Sequence, residues 1–439
     1  MNVRFVSRAE SSNFCAMAAD VDLTQTQVAR ARAFWHDHIT ADARIYVRIR
    51  RCQTILIEPR ERFNFDVEFL LEGGSGLRPE RDWIALAPHL DQPVVLTIDQ
   101  ISVLGNVSTQ DWTEFDELAK QSDVAAIHAL LDAGLLISDA PQHAAMRERE
   151  QSFRDGHWHP LAAVMHAFGR WDGVTSGEQV RNVGIVSFND LVHELGDPPS
   201  HFHPRAAKEQ RLPLMTPEPT SLDVLLKRRT TCRNYDISRQ VPFAIFSHLL
   251  HRVFGAQAVH TVTNDVAIVK KTSPSAGGLH PTGAYLLIQH VEHIEPGLYH
   301  YHAGDHALEP VRLMPSDEAH ELALKILAHQ DWFANAHAIV IYTPHFLRSF
   351  WKYRNHAKVY RAVTLDVGHL SQTLQISATE FGLGAFVTAA INEVDVEQAL
   401  DLEPMRESPL AIGGFGWRTR ECARMEFDPQ HAVWPAKKS

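Results

Sequence analysis

Apolar residues recur at regular spacings mainly in the second half of the chain. The unbroken apolar run at residues 338–343 is typical of a buried strand. A stripe of apolar residues between Val359 and Phe381 recurs every three or four positions and predicts a long helix that ends at Gly382. These two patterns indicate a sheet with helices packed on it.

Shorter elements are predicted around these two. A helix through Ile245 and Val253 is expected to end at Gly255. The other strands of this half are predicted at residues 266–269, 286–289, 298–301 and 308–310. The last two would form a hairpin around Gly304-Asp305. Helices that alternate with such strands predict an α+β fold, with an antiparallel sheet flanked by helices.

The first ninety residues have weaker patterns, and we assign them no chemistry. Branched and alternating apolar residues predict strands at residues 45–49, 54–58 and 63–69.

A clearer pattern begins at Asp91, with a strand at residues 94–96, three short helices and a final strand at 135–137. The second helix is expected to run through Trp112 and the third to be capped by Ser122. This order of elements is typical of a winged-helix domain.

Charge argues against DNA as the partner of this winged-helix-like module. Residues 91–139 contain nine acidic side chains, and Lys120 is their sole lysine or arginine. Because neutralisation of phosphates dominates affinity for DNA, such a module is poorly suited to bind it. Two interpretations stay open: a structural or dimerisation domain, or a peptide-docking module in which an extended segment adds to a sheet edge beside a helix.

Three segments follow from these patterns. We predict an N-terminal domain at residues 1–139, with the docking module at about 91–139, a connector at 140–219 and a catalytic domain at 220–439. Prolines at 213, 217 and 219 mark the second boundary. The connector carries paired histidines at 157/159 and 201/203, but no cysteine or carboxylate stands at a recognised ligand spacing, so we predict no metal site.

Composition indicates an ordinary globular protein. The 439 residues are 45% hydrophobic and 22% charged, and the net charge of -11 disfavours general binding to nucleic acid or to anionic membranes. The four cysteines form no CxxC pair, which fits a reducing compartment. Residues 1–20 lack the apolar core of a secretion signal, and no apolar run is long enough to span a membrane. We therefore expect a cytoplasmic protein.

Two segments are suited to binding a phosphorylated planar ligand. The Gly-rich turn (residues 273–281) has adjacent glycines and two serines, which let main-chain N–H groups approach a ligand closely. The Arg/Thr segment (residues 229–233) combines guanidinium groups with hydroxyl donors, which suit a phosphate monoester.

Five motifs occur in the order seen in the nitroreductase superfamily. They are Arg229-Thr230-Thr231-Cys232-Arg233, Pro274-Ser275-Ala276-Gly277-Gly278-Leu279-His280-Pro281, Lys352-Tyr353, Tyr360-Arg361 with Asp366-Val367-Gly368-His369, and Gly382-Leu383-Gly384. Each is weak alone, but five in order are fairly specific. More narrowly, the chain resembles the SagB-type dehydrogenases, which oxidise azoline rings in ribosomally made peptides, and the resemblance covers roughly residues 220–420.

The resemblance implies that FMN binds at a homodimer interface. Its phosphate would be held by Arg229, Thr231 and Arg233, with Thr230 adjacent and Arg418 or Arg420 as a further contact. Main chain at Pro274, Ser275, Gly277, Gly278 and Leu279 would contact the ring system. Main chain at Gly382, Leu383 and Gly384 would lie near the edge of the flavin that carries N5 and O4.

Lys352 and Tyr353 are the catalytic pair that the resemblance implies. Conversion of an azoline to an azole removes a proton from one ring carbon and a hydride from its neighbour, so a base must face the first carbon. Two departures from the family pattern stand out: Thr230 replaces a second arginine, and Gly283 stands where the family generally has a glutamate. Adjacency alone does not distinguish this pair from a surface lysine beside a buried aromatic ring.

The resulting hypothesis is an FMN-dependent dehydrogenase that acts on a ribosomal precursor peptide, with a cyclodehydratase as a possible partner enzyme. Two alternatives remain. A general NAD(P)H-dependent nitro- or quinone reductase would need no peptide module, and a peptide-binding scaffold subunit would have lost catalysis.

Overall fold

The computed structural model describes residues 47–176, 188–263 and 266–435. Contacts between backbone positions divide the chain into two units. The first comprises Met1–Arg51 and Asp99–Arg147, and the second comprises Cys52–Ile98 and Glu148–Ser439. Within the described ranges, no helix is long and apolar enough to cross a membrane.

Within its described residues, the first unit has a three-stranded antiparallel sheet and three short α-helices. Strand Arg48–Arg51 lies between Thr113–Glu114 and Leu136–Ser138. The helices are Ile98–Asn106, Phe115–Ala119 and Val124–Asp132. Three helices followed by a strand agree with the sequence pattern, whereas the winged-helix assignment and the domain boundaries remain predictions.

Two details of this part differ from the sequence-based expectation. The second helix begins at Phe115, after Trp112, and the third is capped by Asp123, whose carboxylate accepts the N–H groups of Ala125 and Ala126. Strand Val94–Leu96 pairs with Leu77–Leu86 of the second unit, not with strands of the first.

A long hairpin opens the second unit. Strand Leu56–Phe65 pairs with Leu77–Leu86, which also pairs with Val94–Leu96. The predicted strand at 63–69 is wrong beyond Phe65, because Asp66 caps a short helix, Val67–Leu71, by accepting the N–H of Phe69. The predicted strand at 45–49 lies partly outside the described residues, which begin at 47.

The main body of the second unit is a six-stranded antiparallel sheet. In spatial order its strands are Ala307–Leu313, Gly297–His302, Thr282–Ile288, Ala338–Pro344, Ala411–Gly416 and Gly384–Thr388. Every residue of the central strand 338–344 is buried. A separate two-stranded hairpin pairs Ala258–Thr263 with Val266–Lys270. The predicted α+β fold with an antiparallel sheet is confirmed.

Alternate residues of the strands fill two separate cores, one on each face of the sheet. On one face, Leu286 and Val340 pack with the helices Phe243–Phe254 and Val359–Glu380. On the other face, Leu287 and Ile339 pack with residues of three further helices. Because both faces of the central strand are covered, its residues are apolar from Ala338 to Tyr342, with the buried Thr343 after them. We call Val359–Glu380 the long helix.

The remaining helices surround this sheet or lie in the predicted connector. They are Ala144–Asp155, Pro160–Gly169, Phe188–Leu195, Ser221–Arg228, Ser316–Ile326, Asp331–Ala334, Phe346–Lys352 and Glu393–Leu400. Trp158, from the predicted connector, is buried against Phe346 and Phe350 and donates its indole N–H to the carbonyl of Met405. Part of the predicted connector therefore belongs to the same packed body as the sheet.

His166 is buried in this aromatic cluster. One ring nitrogen lies 3.2 Å from the Tyr360 hydroxyl and the other 3.0 Å from the carbonyl oxygen of Pro404. Burial lowers the pKa of His166 to about 4. The unfolded chain therefore binds a proton below pH 6.5 that the folded chain does not take up until about pH 4.

Because of this lowered pKa, we expect the free energy of unfolding to fall by about 2 kcal/mol when the pH is lowered from 7.5 to 5. The contribution of this histidine is present above pH 6.5 and is lost as the pH falls toward 4. His166→Gln should be less stable at pH 7.5 but should lose less stability on acidification, as measured by urea unfolding at both pH values. The exposed His201→Gln is the control, and equal pH slopes for His166→Gln and the wild type would contradict the assignment.

Candidate functional site

Side chains of the Arg/Thr segment alternate between the interior and the surface. Thr230 and Cys232 are buried, whereas Arg229, Thr231 and Arg233 are partly exposed. The segment is fixed to the sheet, because the N–H of Cys232 donates to the carbonyl of Ala385 at 2.9 Å. The outward side chains are those predicted to hold a phosphate.

Two guanidinium groups of this segment have no carboxylate partner within the described ranges. Arg229 donates to the amide oxygen of Gln375 on the long helix at 3.0 Å. The guanidinium of Arg233 lies 5.9 Å from the ring centre of Phe333. Both retain donors for an anion, because a guanidinium carries five N–H groups.

Arg418 is oriented differently from the expectation. Its guanidinium donates to the carbonyl of Thr230 and to the carboxylate of Glu426 on the inner side of the segment. Its side chain is 14% exposed and that of Glu426 is fully buried. Arg418 thus contacts the Arg/Thr segment, but its charge is paired within the protein.

Main chain at residues 382–384 lies beside the Arg/Thr segment. At each of its two glycines, the surrounding structure explains why no side chain is present. Gly382 has φ +76° and follows the long helix, which is the usual place of a left-handed glycine. A Cβ at Gly384 would lie 2.5 Å from the Cys232 sulfur. Leu383 is buried in the sheet core. Their predicted flavin contacts remain predictions.

The Gly-rich turn is held by a carboxylate of the long helix. Asp366 accepts the hydroxyl of Ser275 at 2.5 Å and the N–H of Ala276 at 3.2 Å. The Ser275 oxygen in turn accepts the N–H of His280 at 2.9 Å. Burial raises the pKa of Asp366 above its ordinary value, although the Ser275 and Ala276 donors oppose this. Pro274 lies beside this carboxylate and Leu279 follows the glycines.

Lys352 and Tyr353 converge on the first glycine of this turn. Gly277 has φ +62°, and a Cβ there would collide with the Tyr353 hydroxyl and lie 2.9 Å from the Lys352 nitrogen. Gly278 is also left-handed, at φ +69°, but a Cβ there would meet no atom within 4 Å. The structure therefore brings the predicted catalytic pair and the bare main chain of the turn together.

A cleft of about 810 Å³ opens beside Gly277. Strand residues Val266 and Ile268 and the exposed Trp351 give it an apolar wall, and Arg348 and Lys352 give it positive charge. A cleft of this size and lining suits a partly apolar organic substrate.

Sequence reasoning missed two cationic groups behind the turn. Arg348 donates to the carbonyl of Leu279 at 2.5 Å, which fixes the end of the turn. Lys271 is 7% exposed, and burial, assisted by the charge of Arg348, lowers its pKa to about 8. Burial and these same two cations lower the pKa of His280. Only the position of Lys271 just before the turn could have drawn attention to it.

The predicted site residues form two groups on opposite sides of the long helix. The Arg/Thr segment contacts Gln375, and the Gly-rich turn contacts Asp366. These positions are nine residues apart, which corresponds to about 14 Å along the axis and about half a turn around it. Within one chain, the two groups therefore face different directions.

The fold is an α+β sheet flanked by helices, and it carries two candidate ligand surfaces. One presents the guanidinium groups of Arg229 and Arg233, and the other is the Gly-rich turn beside Lys352 and Tyr353. The sequence profile of the Nitroreductase family matches residues 226–417, and the chain belongs to this family of oxidoreductases. Members of the family are in general flavin-dependent. The membership predicted from the five ordered motifs is confirmed.

Curated relatives include proteins of two kinds. MJ1384 of Methanocaldococcus jannaschii, named as a nitroreductase, is 31% identical over 44% of this chain and 89% of its own length. The trifolitoxin-processing protein TfxB of Rhizobium leguminosarum bv. trifolii is 30% identical over 33% of this chain. The microcin B17-processing protein McbC of Escherichia coli is 26% identical over 35% of this chain.

The chain spans 38% of the length of TfxB and 56% of McbC. Among solved structures, it is similar to a chain of the E. coli microcin synthetase McbBCD complex with truncated pro-MccB17 bound, with a TM-score of 0.44 and 19% identity. That overlap covers 59% of this chain and 92% of the other, and a likeness of this extent carries no argument about function.

The two glycines of the turn allow a matched test of the close approach at Gly277. Gly277→Ala and Gly278→Ala both force alanine into a left-handed conformation, which costs roughly 1 kcal/mol or more. Only Gly277→Ala also pushes a methyl group into Tyr353 and Lys352. We expect its loss of unfolding free energy to exceed that of Gly278→Ala by about 1 kcal/mol or more in urea titrations. Equal losses would show that the pair does not pack over Gly277.

Proposed function

We propose that this protein is an FMN-dependent dehydrogenase that oxidises azolines to thiazoles or oxazoles in a ribosomally synthesised precursor peptide. The observation that supports this most directly is the convergence of Lys352 and Tyr353 over the bare main chain of Gly277, beside a cleft large enough for a peptide segment. The names of two relatives, which process trifolitoxin and microcin B17, favour a peptide over a small molecule.

The residues fit a phosphorylated flavin in two respects. Arg229 and Arg233 offer guanidinium donors that no described carboxylate neutralises, with the Thr231 hydroxyl between them, as a phosphate dianion requires. At Gly278, a Cβ would meet no protein atom within 4 Å, so a ligand ring could approach the main chain there. Arg229, Thr231 and Arg233 would hold the phosphate, and main chain at 274–279 would lie against the ring.

The protein's own contribution to the chemistry is a positioned base. Bound FMN supplies the two-electron acceptor, with dioxygen as the terminal oxidant. The azoline gives up one carbon-bound hydrogen as a proton and its neighbour as a hydride, so the ring gains a double bond. In its neutral form, the Lys352 amine takes the proton, and Tyr353, whose ring centre lies 5.2 Å from that nitrogen, orients it.

The geometry of the long helix supports a proposed homodimer. The phosphate-binding side chains and the Gly-rich turn lie on opposite faces of this helix in one chain, as their contacts with Gln375 and Asp366 indicate. A second copy would supply the turn and Lys352 to the Arg/Thr segment of the first. Two symmetric sites would result, each built from both chains.

The first unit is proposed to dock the precursor peptide. Its sheet has the order Thr113–Glu114, Arg48–Arg51, Leu136–Ser138, so its two outer strands each have one edge that pairs with no other described strand. An extended peptide could add to such an edge. A cyclodehydratase that forms the azoline is the partner enzyme this reaction requires.

Removal of the proposed base should separate flavin binding from catalysis. We expect purified protein to take up FMN and to remove two hydrogens from an azoline-containing peptide, as seen by mass spectrometry. Lys352→Ala should keep its flavin absorbance but lose at least about 100-fold in rate, because a positioned base contributes on that order. The exposed Lys358→Ala serves as the matched control and should behave as the wild type.

Three results would contradict these expectations. Protein that stays colourless and binds no FMN would exclude the cofactor, and full turnover by Lys352→Ala would remove this residue from the mechanism. Rapid NAD(P)H oxidation without peptide, together with no peptide oxidation, would favour a general reductase.

The shared site can be tested with hybrid dimers. One variant carries Arg229→Ala with Arg233→Ala, and the other carries Lys352→Ala. Each should be inactive alone, but random subunit exchange should restore roughly a quarter of wild-type activity, because half of the dimers then hold one intact site of two. Each variant exchanged with itself is the control. No recovery in mixtures shown to contain hybrids would mean that each site lies within one chain.

A further inference from the structure

A buried carboxylate holds the C-terminal segment against the Arg/Thr segment. One oxygen of Glu426 accepts the N–H of Arg233 at 2.6 Å and the side-chain amide of Asn234 at 2.8 Å. The other accepts the Arg418 guanidinium and the indole N–H of Trp434, the latter at 2.9 Å. Four donors therefore converge on a side chain that is fully buried.

Asn234 extends this contact along the C-terminal segment. Its side-chain amide donates to the carbonyl of Arg424 and its side-chain oxygen accepts the N–H of Arg424, both at 2.8 Å. The N–H of Thr419 donates to the carbonyl of Asn234 at 3.1 Å. Residues 418–428, which we call the C-terminal strap, are thus bound to the Arg/Thr segment and to the residue that follows it. They lie beyond the family match, which ends at 417.

The strap contacts the Arg/Thr segment on the side opposite its partly exposed side chains. Thr230, through its carbonyl, and Asn234, through its amide, are both held on the inner side by Arg418 and Glu426. Because side chains alternate along an extended segment, Arg229, Thr231 and Arg233 are left on the other side. These are the three side chains suited to a phosphate.

We propose that the C-terminal strap positions the Arg/Thr segment for the phosphate of the flavin cofactor, with Glu426 as the positioning residue. The proposal rests on the proposed FMN site. Glu426 contributes by fixing Arg418 and the Arg233 main chain before the cofactor arrives, so less ordering is required on binding. Its charge matters, because a neutral side chain would leave the largely buried Arg418 cation without a carboxylate partner, with the Thr230 carbonyl as its remaining acceptor.

Flavins with and without a phosphate give a direct test. Glu426→Gln keeps the shape of the side chain but removes its charge. We expect it to weaken FMN binding about tenfold, as measured by quenching of flavin fluorescence, while riboflavin binding changes by less than about twofold. Glu421→Gln, an exposed change in the same strap, is the matched control and should leave both affinities unchanged.

The other possible results distinguish failure of the positioning role of Glu426 from failure of the proposed FMN site. Unchanged FMN affinity in Glu426→Gln, or equal weakening for FMN and riboflavin, would overturn the positioning role. Tighter FMN binding would also overturn it, because Glu426 would then compete with the phosphate. Wild-type protein that binds neither flavin would contradict the proposed function, and the proposal for the strap would fail with it.

A measurement on the wild type covers the case in which Glu426→Gln does not fold. FMN should slow amide hydrogen exchange in residues 418–428, whereas riboflavin at equal saturation should not. If the two ligands protect the strap equally, or if neither does, the strap does not act through the phosphate.

Discussion

Both parts of the candidate site are anchored to the long helix, at positions that lie on opposite sides of its axis. Gln375 and Asp366 are each almost fully buried, and each uses its polar group to hold a segment that approaches from a different side. A buried polar group is costly unless it is hydrogen-bonded, so these contacts fix the segments as firmly as they fix the helix. The positions of Gln375 and Asp366 on the long helix therefore set the direction in which each candidate ligand surface faces.

The proposed catalytic surface depends in addition on one left-handed residue. At φ +62°, Gly277 turns the chain so that the Lys352 amine and the Tyr353 hydroxyl lie where a side chain would otherwise be. Arg348 and Asp366 hold the turn at its two ends through Leu279 and Ser275. The turn can thus keep a conformation that most residues avoid, because neighbouring side chains determine it from both ends.

Local patterns in the sequence were sufficient to predict strands of the sheet and the long helix, because side chains in these elements repeat with periods of two and 3.6 residues. The strand predicted at 63–69 failed where a single side chain overrode the alternation, since Asp66 caps a helix. The ordered motifs indicated the family and named the segments that we propose as the two parts of the site. The pairing of Arg418 with Glu426, and of Arg233 with the same carboxylate 193 residues later, has no local signal, because such contacts depend on tertiary packing.

Two carboxylates have parallel tasks in this structure. Asp366 accepts donors from the inner side of the Gly-rich turn, and Glu426 accepts donors from the inner side of the Arg/Thr segment. In each case the carboxylate satisfies the groups that face the protein, so the groups that face outward stay available to a ligand. A phosphate anion would be repelled by carboxylates on its own side, whereas both of these carboxylates accept donors from the inner side of the segments proposed to bind the cofactor. The protein thereby keeps a net negative charge overall while presenting cations and bare amides at the proposed site.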